Sequence, residues 1–174
     1  PKTQKPDTFN ILSKRWENFN AQEIISDLSI YKQYYLSFLR TNIRFDCKKE
    51  LKDPLDSFFK CNLPSSILPF LLPLIHNTIL EKIDVNITVK VISLLESFFV
   101  RRFLCKHEPT GLHAVFKGMW NELNLSTNEK NVRDSINKHG TVKWPNDNEF
   151  TDAIKNNDIY TKPIFARFLL RELD

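Results

Sequence analysis

The chain is predicted to fold as an all-α single domain of about seven to nine helices around one central apolar helix. Three observations carry that prediction. Apolar residues recur at helical spacing through most of the chain, most densely in Ile92–Cys105, ISLLESFFVRRFLC. Glycine is scarce, with 3 in 174 residues, so the tight primed turns of a hairpin-rich β fold lack their usual residue. The 9 prolines fall mostly between the periodic segments, as punctuation. A hydrophobic content of 41% excludes a disordered chain, and the length suffices for one real core.

Residues 1–7 read as a loose polar lead, and 8–174 as the helical domain. Asp7 suits the cap of a helix with Phe9, Leu12, Trp16 and Phe19 on one face. Ala21–Leu28 reads as helical, and Ser29–Arg44 as a stronger helix with Ile30, Tyr34 and Phe38, joined by Tyr35 and Leu39, on one broad face. Pro54 fits the first turn of a short helix carrying Leu55, Phe58 and Phe59. Ser65 or Ser66 is a candidate cap for a helix reaching Leu80, kinked near Pro69 and Pro73.

After a break at Asp84–Asn86, Thr88–Cys105 forms the central helix. Leu94, Phe98, Arg101 and Cys105 share one stripe, and Leu95, Phe99 and Arg102 the next, so the helix is apolar on nearly every side and therefore buried. The turn KHEPTG leads into a helix with Leu112, Val115, Met119 and Leu123. Ser126-x-x-Glu129 and Asn146-x-x-Glu149 match the capping-box pattern and open two further helices, the first stopped by Gly140. Pro163 starts a last helix with Phe165, Phe168, Leu169 and Leu173. Thr141–Trp144 and Val85–Val91 are the only places where a short strand fits.

The formal charge of +4 is spread without any block of like charges, which permits nucleic-acid contact but reads more simply as a solvated surface. Cys47, Cys61 and Cys105 are odd in number and widely spaced, which fits a reducing cytoplasm. The longest apolar run, ILPFLLPLI, is too short to span a bilayer, so no membrane partner is expected. The opening PKTQKP has no initial Met and no signal peptide, and the chain is expected to be a fragment of a longer protein.

From about Pro69 onward, a sequence of blocks resembles one family: LPFLLPLI, LLESFFVRRFLC, KHEPTGLHAVFKGMW, WPNDNEFTDAIKNNDIY and FARFLLRELD, in that order. This is similar to the middle-to-C-terminal helical region of GmrSD-type modification-dependent restriction endonucleases. In that family a ParB-like nucleotide-using domain precedes the helical region and an HNH nuclease domain follows it. Neither the nucleotide-using motif nor the HNH motif occurs among these residues, so no catalytic residue of the family transfers to any position here. The resemblance implies a non-catalytic scaffold whose partners are the other domains of the same parent protein, and DNA touched through basic surface.

The candidate nucleic-acid contacts are Arg101, Arg102, Lys143 and Trp144. A guanidinium matches a phosphate bidentately, and Lys143-Trp144-Pro145 offers a stacking surface for a base. Each has a structural counterpart that is favoured: the arginines pairing with a carboxylate such as Glu96 or capping helix carbonyls, and Trp144 closing over the core. Cys105, His107 and His113 lack a fourth ligand for zinc, and Asp46, Glu50 and Lys52 lack the sheet that supports a metal-dependent nuclease cluster. No catalytic relay and no glycine-rich phosphate loop is present, so neither a cofactor nor an intrinsic reaction is expected. The alternative function is an autonomous helical module binding a protein through an exposed aromatic groove, motivated by the 14 phenylalanines.

Overall fold

A helix running Val85–Leu104 passes through the middle of the molecule and packs mainly against four others. The protein is seen here as a computed structural model, which describes residues 13–14, 16–61, 63–156 and 166. Among them are seven α-helices and no strand: α1 Ala21–Arg40, α2 Lys49–Lys60, α3 Leu68–Ile79, α4 Val85–Leu104, α5 Leu112–Leu123, α6 Glu129–Lys138 and α7 Asp147–Asn156. Single 3-10 turns, Ser65–Ile67 and Asn124–Ser126, precede α3 and follow α5. The expected first helix around Phe9, Leu12 and Trp16, and the last around Phe165–Leu173, lie largely or wholly outside the described residues.

The central helix is buried on most sides as expected, but Asn86, Lys90, Ser93 and Ser97 leave one polar stripe of it exposed. Val91, Ile92, Leu95, Phe98 and Phe99 are buried, and α4 contacts α2, α3, α6 and α7. α5 packs mainly on α3 and α6, which closes the core around Phe70, Phe98 and Phe116. Phe99 stacks on Phe116 at 5.9 Å and meets Phe98 edge-on at 5.3 Å. Phe58, Phe59, Phe70, Phe98, Phe99 and Phe116 are buried, so the aromatic content serves the core. Among the described phenylalanines Phe19 is the exposed one, and Phe38 and Phe45 pack partly against the core.

Several boundaries differ from the sequence reading. Ala21–Arg40 is one helix, because Asn20 and Glu23 form a reciprocal capping box that fixes its start. It ends at Arg40 rather than Arg44. α2 begins at Lys49, so Pro54 sits inside the helix instead of in its first turn. Neither Ser65 nor Ser66 caps α3; Pro64 precedes the 3-10 turn, and Pro69 occupies the first turn of α3, where a missing N–H costs little. α4 starts earlier than expected, at Val85, because Asp84 caps it by accepting from the Asn86 amide at 2.7 Å. Val85–Val91 is therefore helical.

The two capping boxes also resolve differently. Asn128, not Ser126, caps α6: its side chain accepts from the Asn131 amide at 3.0 Å, while Ser126 donates to the Leu123 carbonyl. At α7, Asn146 accepts from the Glu149 amide at 2.9 Å as predicted, but the Glu149 carboxylate turns away to another partner.

Helix ends are made without glycine. Thr41, Glu81 and Lys106 adopt left-handed backbone at φ 48, 55 and 57. At each, a paired set of bonds closes the helix; at α4, Lys106 N–H reaches the Phe103 carbonyl and His107 N–H the Arg102 carbonyl. Gly111 at φ 89 is the exception that must be glycine, because a Cβ there would lie 3.0 Å from Val142 and 3.1 Å from the Thr141 hydroxyl. No helix among the described residues is long and apolar enough to cross a membrane.

Candidate functional site

The two arginines of α4, Arg101 and Arg102, stand side by side in its last turn. Arg102 points inward and is 5% exposed. Its Nη1 donates to the Lys143 carbonyl at 2.8 Å and its Nη2 to the Glu108 carbonyl at 2.5 Å. The guanidinium also lies 5.5 Å from the centre of the Phe98 ring. It thereby ties the KHEPTG turn after α4 to the loop before α7. Gly111 brings the same two segments into contact against Thr141 and Val142. Burial draws the guanidinium pKa below its ordinary value, yet an arginine stays charged, and carbonyl dipoles serve in place of a carboxylate.

Arg101 projects from the rim. Its Nη1 donates to the Asp147 carboxylate at 2.7 Å and to the Pro145 carbonyl at 3.3 Å, and its guanidinium covers Phe150 at 4.7 Å. The arginine pair thus bonds Lys143, Pro145 and Asp147, more than forty residues away, and the nearby Glu108 carbonyl, not Glu96. Glu96 instead meets Ser57 and Cys61, both at 3.4 Å.

His107 joins the two arginine systems. Arg102 Nη1 lies 3.4 Å from its Nδ1, and its Nε2 lies 2.6 Å from the Glu149 carboxylate. This bond draws the Glu149 carboxylate out of the α7 capping box. Sequence reasoning singled out His107 only as a metal ligand and Glu149 only as a cap. Their contact spans a sequence separation that no local pattern encodes.

Lys143 is exposed while its carbonyl holds Arg102. Trp144 packs on Phe98 at 4.9 Å, and the Arg133 guanidinium lies 4.8 Å from its ring centre. Of the four candidate nucleic-acid contacts, three are engaged inside the fold through their side chains, and Lys143 alone presents its side chain to solvent.

The other candidate clusters do not converge. Cys105 caps the end of α4, His107 is engaged by Arg102 and Glu149, and His113 is exposed on α5. Among the described residues no group of three or more His, Cys, Asp and Glu side chains is placed to hold a metal ion. Glu50 and Lys52 are exposed on α2, and Asp46 lies apart, on the wall of a cleft of about 700 Å³. Cys47, Leu51, Thr78, Ile83 and Val85 also line that cleft, and the exposed Lys48–Glu81 ion pair, at 2.7 Å, stands at it. The Thr78 hydroxyl is satisfied by the Leu74 carbonyl and the Thr88 hydroxyl. Burial pushes the Cys47 thiol pKa up, which keeps it protonated and poorly nucleophilic. All three cysteines are free thiols.

The chain matches no family model, no curated protein and no solved structure.

Proposed function

We propose that the chain is a non-catalytic helical scaffold of a restriction or phage-defence type protein, linking a nucleotide-using domain to an HNH nuclease. What supports this reading is the arginine pair. Three blocks on which the family resemblance rests are ESFFVRRFLC, KHEPTG and WPNDNEF. Arg101 and Arg102 bond these blocks to one another through the Glu108 and Pro145 carbonyls and the Asp147 carboxylate, and through the carbonyl of Lys143, which immediately precedes the third block. Residues that would otherwise suggest phosphate binding are spent on rigidity, which is what a spacer between two domains requires.

The reading is tested by incubating the purified chain with duplex DNA and Mg²⁺, and by measuring DNA binding at two salt concentrations. No cleavage is expected. Binding, if any, should be weak, fall steeply with salt, and depend on the exposed Lys143 rather than on Arg102. Metal-dependent cleavage by the pure chain would overturn the proposal.

A further inference from the structure

Helix α1 has two apolar faces, and the core uses one. Tyr34 and Ser37 are buried, with Tyr31 and Phe38 packed partly beside them. The Tyr34 hydroxyl meets His76 Nδ1 at 3.2 Å and Phe38 sits edge-on to Phe59 at 5.8 Å, so this face rests on α3 and α2. The opposite face carries Ala21, Ile25, Leu28, Lys32, Tyr35 and Leu39, and every one of them is exposed. Ile25 is 57% exposed, Leu28 50% and Leu39 55%. A single exposed leucine is ordinary. A continuous stripe along a whole helix marks a surface that another element covers.

The spacing identifies the kind of element. The intervals along the stripe alternate four, three, four, three, four. This is the heptad seam by which one helix packs lengthwise on another. The capping box at Asn20 and Glu23 fixes the start of α1, so the seam is formed before anything binds.

The charge identifies the partner. Lys32 lies in the middle of the seam, between Leu28 and Tyr35, and has no carboxylate partner among the described residues. A parallel second copy would set Lys32 against Lys32. An antiparallel copy would set it against Leu28 and leave both ammonium groups without a counter-charge. A helix with an apolar seam and one carboxylate opposite Lys32 satisfies both the shape and the charge. We propose that the outer face of α1 docks an amphipathic helix of a partner protein, held by its apolar seam and by one acidic residue against Lys32. The proposal stands independently of the scaffold reading.

The test uses the full chain and two fluorescent three-heptad synthetic helices with leucine along the seam. They differ only in having Glu or Lys at the central seam position, and binding is read by anisotropy. The Glu probe should bind tighter than the Lys probe, on the order of tenfold. Lys32→Glu should reverse the preference, and Leu28→Asp should abolish binding of both with helix content by circular dichroism unchanged. Equal affinities, or binding indifferent to Leu28→Asp, would overturn the proposal. So would dimerisation in sedimentation that Leu28→Asp abolishes, which assigns the seam to a second copy. Slow thiol labelling of a monomeric Leu28→Cys variant would assign it to the chain's own remaining segments, and would overturn it equally.

Discussion

Replacing Arg102 by methionine keeps the buried stem of the side chain and removes only the guanidinium. Two short hydrogen bonds are lost, at 2.8 Å to Lys143 and 2.5 Å to Glu108, along with the weaker approach to His107. Charge-assisted bonds contribute about 1.5–3 kcal/mol each, so the gross loss is about 3–6 kcal/mol. Two effects reduce it. Glu108 and Lys143 are exposed residues whose carbonyls can rehydrate, and methionine avoids the desolvation cost of a buried cation. The expected net loss is about 2–4 kcal/mol, or a fall in Tm of roughly 5–15 °C for a chain of this size. Urea unfolding followed by far-ultraviolet circular dichroism measures the loss. With Trp16 and Trp120 replaced by Phe, Trp144 fluorescence reports locally, since its own backbone neighbour is one of the released carbonyls. A loss under about 1 kcal/mol with unchanged Trp144 emission would refute the view that this guanidinium binds the two loops together.

Phe98 is fully buried between Phe99 and Trp144, so Phe98→Ala should cost about 3–5 kcal/mol in chemical denaturation. A thermal shift of about a degree or less would place the core elsewhere. Lys106 holds a left-handed conformation at the end of α4, and Lys106→Gly should stabilise by about 0.5–1 kcal/mol in the same assay. Burial, and then Lys82, hold the His76 pKa below its ordinary value. Folding therefore favours the neutral ring. The stability it supplies is complete above the unfolded imidazole pKa and is lost as pH falls through the lower folded value. His76→Gln should flatten that acid limb of the stability profile, and an unchanged slope would assign it to other groups.

The fold class and the central helix were legible because burial on most sides leaves a dense apolar pattern in Ile92–Leu104, broken only by a narrow exposed stripe at Ser93 and Ser97. The partners of the arginines were not. Local reasoning offers Glu96 because it lies within a turn or so, whereas Asp147 and the carbonyl of Lys143 arrive through tertiary packing. Neither capping box read from the sequence closes in full, and the one that does, at Asn20 and Glu23, was not read. Asn20 and Glu23 close theirs, but Glu149 finds His107, and Asn128 displaces Ser126. The outer seam of α1 was not legible: Tyr35 and Leu39 read onto the same broad face as Ile30, Tyr34 and Phe38, yet Tyr35, Leu39 and Ile30 are exposed, because an apolar stripe in sequence does not say which of two faces the core will take.

The glycine-free corners have a consequence for how far the chain can be divided. Thr41, Glu81 and Lys106 each turn the chain in a conformation that an L side chain disfavours by about 1–2 kcal/mol. Left to local preference, the backbone at these points would fray or continue as helix. The corners hold because the helices on either side bury their faces on a shared core. A helical pair cut out of this protein, α3 with α4 for instance, would lose the reason for its bend along with its neighbours. The smallest piece that keeps its shape is then the whole bundle, and limited proteolysis should find few stable fragments short of it.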